Sequence, residues 1–140
     1  RSLAPTRDSC RDATVEEILL EQLRVNPHNR MAFEYLMGQY LVTFRVDRVV
    51  EQLWRLDDLG YIGIPRCYEE AVLIHQARTG TRVDFHGRQI SPGSLERFHR
   101  FEQIVRSCGG DRRAALRALR PDYGDSYFLY FWFNTSTTEQ

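Results

Sequence analysis

The sequence predicts an all-α fold, and three observations carry the prediction. Apolar residues recur with a period near 3.6 in at least five segments. The clearest is Phe33, Leu36, Met37, Tyr40, Leu41 and Phe44, at i, i+3, i+4, i+7, i+8 and i+11. Helix punctuation flanks these segments: Ser91-Pro92 is a start, and Gly60, Gly80 and Gly109-Gly110 are stops. No segment holds the two-residue alternation of a half-buried strand.

The elements follow in order. Residues 1–13 are polar, contain Pro5 and have no period, which predicts a lead-in or linker. Thr14 with Glu17 three positions on reads as a capping box. Val15, Ile18, Leu19 and Leu23 then give a first helix that stops near Val25, before Asn26-Pro27. Asn29 caps the second. The third carries Val46, Val49, Val50, Leu53 and Leu56 on one face and ends at Gly60. Pro65 suits the first turn of a fourth, with Tyr68, Ala71, Val72 and His75 inward and Gly80 as its stop. Residues 81–90 form a loop, partly extended at 83–85. The fifth helix carries Leu95, Phe98, Phe101 and Val105; Asp111 caps a sixth with Ala115, Leu116 and Leu119, broken by Pro121. The segment 126–133 is apolar on all sides and predicts a helix that packs on the last hairpin and closes the core. The folded domain is thus expected over 14–133, in six to seven helices, with a frayed polar tail at 134–140.

Composition narrows the function. A chain of 140 residues, 42% hydrophobic and 27% charged, is one globular domain with enough core to stand without staples. Its formal net charge is zero, which argues against a general nucleic-acid surface. All 19 basic residues are arginine. That excludes a Schiff-base lysine, a lysine general base and a phosphate-loop lysine. The three cysteines, 10, 67 and 108, form no CxxC, so neither a disulfide framework nor a zinc site is expected; a 10–108 bridge stays open. No apolar run approaches the about 20 residues of a membrane span.

Catalytic candidates are few. His28, His75, His86 and His99 have no ligand spacing, and Asp84 with His86 reads as a polar pair in a loop. Glu69 and Glu70 are adjacent and do not face each other as an acid/base pair would; they read as a solvated helix surface or a partner contact. Cys67 beside Arg66 in a first helical turn suggests a lowered thiol pKa, but no base is placed for it. Neither a catalytic residue nor a metal nor a cofactor is expected.

The stretch 26–40 resembles the opening of a tetratricopeptide hairpin. Pro27, Asn29, Ala32, Phe33, Leu36 and Tyr40 occupy its offsets, while Met37 and Phe44 stand where a small residue and a turn glycine are usual. The resemblance implies antiparallel helical hairpins in a short α-solenoid. It also implies a concave face offering Met31, Glu34, Gly38 and Leu41 from one helix and Arg66, Glu69, Leu73 and Gln76 from the next, a mixture suited to a peptide.

The whole chain is similar to an uncharacterised bacterial family, through residues 29–36, 59–71, 90–92 and 123–131. Its members join several N-terminal membrane spans to a C-terminal helical domain. That resemblance implies the soluble, C-terminal end of a membrane protein, on a side of the membrane left open. The expected partner is a protein, a peptide or the membrane part of the same parent; the expected role is non-catalytic interaction or assembly. The alternative is an accessory domain of a membrane enzyme.

Overall fold

The computed structural model describes residues 7–135, with side chains described from Thr14 onward. Among the described residues the fold is all-helical, with eight helices and no strand: α1 Arg7–Val25, α2 Arg30–Val42, α3 Val46–Glu51, α4 Arg55–Asp58, α5 Arg66–Thr79, α6 Pro92–Ser107, α7 Arg112–Tyr123 and α8 Tyr127–Thr135. This packing is compatible with helical hairpins. No helix among the described residues is long and apolar enough to cross a membrane.

Three of the caps sit where the sequence puts them. Asn29 accepts from the Ala32 amide at 3.1 Å, Ser91 from Ser94 at 3.3 Å with Pro92 in the first turn, and Asp111 from Ala114 at 3.1 Å. Each satisfies an amide that the first turn of a helix leaves without an intrahelical acceptor.

Four boundaries differ. Helix α1 begins by Arg7, so 7–13 belong to it and Thr14 is not its cap; residues 1–6 lie outside the described ones. The segment 7–13 has neither Gly nor Pro to stop a helix, and polarity alone is no bar to one. The third predicted helix is two short ones, joined by i→i−3 bonds from Gln52, Leu53, Arg55 and Leu56 that tighten the turn and keep Val49, Leu53 and Leu56 on the buried side. Helix α7 passes through Pro121 and ends two residues later. Tyr123 anchors that last turn: it is buried, stands edge-on to Phe101 at 5.4 Å and donates to the Arg97 carbonyl at 3.0 Å. Helix α8 extends to Thr135, and the rest of the tail, 136–140, lies outside the described residues.

The core is continuous. Leu23, Phe33, Leu36, Met37, Val49, Leu56, Val72, Leu119, Tyr123 and Phe128 are essentially solvent-free. Helix α2 packs on α1 and α3, α7 on α6 and α8, and α5 lies at the centre against α3, α6 and α8. Phe33 meets the rings of Tyr61 and Tyr68 at 5.9 and 6.0 Å, and Tyr40 donates to Glu16 of α1 at 2.6 Å.

Helices α2 and α4 end in the same turn. After α4, Gly60 has φ +77°, its amide reaches Asp57 O, and Tyr61 N reaches Leu56 O at 3.1 Å. After α2, Phe44 takes that place with φ +64°; its amide reaches Leu41 O, and Arg45 N reaches Tyr40 O at 2.8 Å. Both pairs of bonds define a Schellman turn, whose left-handed residue is ordinarily glycine. Phe44 has a reason to be there. Its ring stacks on Tyr130 at 5.4 Å and stands edge-on to Phe131 at 6.0 Å, so it anchors α8.

The aromatic segment therefore packs onto the body, as its composition predicts. Tyr127, Phe128, Leu129 and Phe131 are buried. The Tyr127 hydroxyl donates to Leu41 O at 2.7 Å and that of Tyr130 to Val42 O at 3.4 Å. Two side chains of α8 thus occupy carbonyls at the C-terminal end of α2.

Candidate docking cleft

Two adjacent buried carboxylates set the position of α6 and α8. Glu69 and Glu70 are 6% and 3% exposed, which corrects their reading as a solvated surface. Glu69 accepts from the Ser91 amide at 2.9 Å, the Ser91 hydroxyl at 3.2 Å and the Ser94 hydroxyl at 2.7 Å, all at the N-terminus of α6. Glu70 accepts from the Tyr127 amide at 2.8 Å, at the N-terminus of α8, and from Arg66 at 3.3 Å. A carboxylate at a helix N-terminus contributes about 0.3–1 kcal/mol when exposed and up to about 2 kcal/mol when partly buried. Burial pushes the Glu70 carboxyl above its ordinary value; the Tyr127 amide and Arg66 oppose that shift. Two neighbours on α5, about a third of a turn apart, thereby fix two other helices.

Between these three helices lies a cleft of about 740 Å³. Each wall is a helical stripe. Helix α5 gives Ile74, Ala77 and Arg78; α6 gives Phe98, Phe101, Glu102, Val105 and Arg106; α8 gives Phe128, Phe131, Trp132 and Thr135; Phe44 adds to the α8 side. Ring contacts hold the floor: Phe98 and Phe101 lie 5.0 and 5.7 Å from Phe128, and Phe101 is edge-on to Trp132 at 6.4 Å. The Arg78 guanidinium lies over Phe131 at 5.2 Å. Arg78 and Arg106 are exposed, and Glu102 is half-buried. The volume falls in the range of sites that hold ligands or inserted side chains, with a lining that mixes polar and apolar surface.

None of the eight residues expected on a concave face lines this cleft. On α2, Met31 is 80% exposed, Glu34 is exposed and Gly38 is half-buried with open space before it. Glu34 is held by Arg30 at 3.2 Å and Tyr61 at 2.7 Å, which lower its carboxyl pKa, the tyrosine foremost. Leu41 is half-buried against the core. On α5 the expectation fails for two of the four. Glu69 and Leu73 are buried, Gln76 is half-buried and accepts from the Val83 amide at 3.0 Å, and Arg66 binds Glu70 beside a smaller cleft with Cys67 and Tyr130. The reason is topological: α6 and α8 cover the faces of α5 that a two-helix groove would leave open.

The other candidates resolve as follows. Cys67 sits at the surface, but desolvation of its sulfur, then the Glu70 carboxylate, push the thiol up rather than down. Cys67 and Cys108 are free; the side chain of Cys10 lies outside the described ones. Asp84 accepts from the His86 amide at 2.9 Å, a turn in which His86 has φ +54°. His28 contacts Asp58 O at 2.8 Å. Among the described residues no three or more His, Cys, Asp or Glu are grouped to hold a metal ion. Residues 81–90 are strapped down by Arg88, which donates to Gly63 O, Tyr61 O and Asp57.

Fold and cleft together define an all-helical domain with an open, aromatic-floored trough. The chain belongs to a family of unknown function, DUF6057, whose model matches residues 1–134. No curated protein and no solved structure matches it.

Proposed function

We propose that this chain is a non-catalytic interaction domain that docks a protein segment in the α5/α6/α8 cleft. One observation carries the reading: half-buried Phe44, Phe98 and Trp132 border a surface cleft whose floor is made by the buried rings Phe101, Phe128 and Phe131. Half-buried aromatic edges beside charged residues are the kind of surface a protein partner covers. The tetratricopeptide-like register of α2 supports an interaction role, and the likeness to membrane proteins with a helical end supports a parent embedded in the membrane. The segment is supplied by that parent or by a separate protein.

The test is site-specific photocrosslinking in the native host, on the full parent protein. A photoreactive residue at Ala77, on the cleft rim, gives a discrete adduct, while one at Ala118, exposed on α7 away from the cleft, gives none. Equal adducts at both sites, or none at Ala77, refute the reading.

A further inference from the structure

The face of α2 turned away from the core is apolar. Of the 13 residues of α2 only Arg30, Glu34 and Gln39 carry a charge or an amide. Phe33, Leu36, Met37 and Tyr40 are its buried stripe. On the opposite side lie Met31, Tyr35, Gly38 and Val42, of which Met31, Tyr35 and Val42 are 80%, 56% and 55% exposed. A helix that is apolar all round is ordinarily covered all round. Helix α1 extends the surface: Ile18 and Val25 are exposed, and Val25 and Met31 line one shallow depression with Gln22. Five of the ten large apolar side chains exposed among the described residues thus lie on this one hairpin, while the other five are spread over the rest of the chain.

We infer that this face is an interface between two copies of the chain, in which the two α2 helices pair antiparallel about a two-fold axis. The inference does not rest on the docking reading, and the surface is separate from the cleft.

The register argues for a second copy. Positions 31, 35, 38 and 42 are spaced by 4, 3 and 4 residues, the a/d seam of a coiled coil. That spacing reads the same in both chain directions. A two-fold axis between residues 36 and 37 sets Tyr35 of one copy against Gly38 of the other, and Met31 against Val42. The largest side chain of the stripe therefore meets the position that has none. Gly38 has no role inside its own chain that explains it: it lies within a helix, where glycine is destabilising relative to alanine, and a Cβ there would meet nothing within 4 Å. A ring approaching from a second α2 supplies the reason.

Charge and area agree. The charges nearest the stripe are paired within the chain, Arg30 with Glu34 at 3.2 Å and Arg24 with Glu21 at 2.6 Å. Two copies of the face therefore meet without like-charge repulsion, and the basic border of a helix that lies on an anionic membrane is absent from it. The five apolar side chains expose on the order of 500 Å² on each copy, so pairing brings together about 1,000 Å², where specific interfaces begin.

The experiment is sedimentation equilibrium of the whole 140-residue chain over a dilution series. The mass is expected to rise from 16.5 kDa to twice that value at concentrations below about 1 mM, the affinity of a small interface. Tyr35→Glu and Gly38→Leu, both on the outer face, should each weaken association by at least about tenfold with circular dichroism unchanged. In the Tyr35→Glu monomer, Gly38→Ala should raise the urea midpoint, since alanine favours the helix and its methyl group meets open space. Isotope-filtered NMR of mixed labelled and unlabelled chains should show contacts between Tyr35 of one copy and Gly38 of the other. A chain that stays monomeric at about 1 mM, a dimer untouched by Tyr35→Glu, or a Gly38→Ala variant that loses stability overturns the inference. So does a monomer that pellets with phosphatidylcholine vesicles through Tyr35, which would make the face a membrane surface. A photoreactive residue at Tyr35 in the full parent should give an adduct of two parent masses; any other mass overturns the inference in favour of a different protein.

Discussion

Phe44 offers a stability measurement whose sign separates two accounts of one turn. At φ +64° a residue with a Cβ carries a cost of about 1–2 kcal/mol relative to glycine. Truncating a fully buried phenylalanine to alanine costs about 3–5 kcal/mol. Phe44 is half-buried, and its contacts are the two rings of α8, so the loss on Phe44→Ala is about 2 kcal/mol. Phe44→Gly loses the same ring contacts but removes the backbone strain. Glycine's greater freedom in the unfolded chain takes back about 0.4–1 kcal/mol. The glycine variant should therefore be more stable than the alanine variant by about 1 kcal/mol, with both below the wild type. Inside an ordinary helix the order is the reverse by a similar amount. Urea unfolding at 25 °C reads the difference as a midpoint shift of roughly 0.3–1 M for slopes of 1–3 kcal/mol/M. Alanine equal to or above glycine would show that residue 44 is not held in the left-handed region. A glycine variant as stable as the wild type would show that the ring does not anchor α8.

Two further outcomes are expected. Leu36 is solvent-free, so Leu36→Ala should destabilise the chain by about 2–5 kcal/mol in urea unfolding; an effect below about 0.5 kcal/mol would contradict its place in the core. For Glu70 the folded state raises the carboxyl pKa above its ordinary 4.5, so between those two values the folded chain binds more protons than the unfolded one. Its contribution is full below 4.5 and is lost as pH rises through the folded value. Glu70→Gln keeps an oxygen acceptor for the Tyr127 amide and cannot ionise, so the variant should gain stability relative to wild type as pH rises through that window. A difference that is flat with pH, or that moves toward the wild type, would refute this.

The helices were legible because their stripes and caps are local. Asn29, Ser91 and Asp111 act within three residues of themselves, and Phe33, Leu36 and Tyr40 share a face whatever packs on it. The site was not legible, because it depends on which helix lies against α5. Glu69 and Glu70 look like surface residues in sequence; their partners Ser91, Ser94 and Tyr127 are 22 to 57 positions away. The rings of the cleft were read as core for the same reason. Phe101 and Phe128 are core as their period predicts, whereas Phe98 and Trp132 have the same period and stay half-open, which only the three-helix arrangement shows. One signal was available: the apolar residues of 126–133 surround the helix, more than a single packed face needs. The left-handed Phe44 was half visible, since it stands where a turn glycine is usual, but its ring partners in α8 are 86 and 87 positions away.

The most direct test of the account is where a docked segment lands. In heteronuclear NMR of the whole chain titrated with a synthetic amphipathic peptide, the predicted shifts concentrate on Phe44, Phe98, Val105 and Trp132. Shifts concentrated instead on the exposed α2 face at Met31, Tyr35 and Val42, with the cleft residues unmoved, would contradict it.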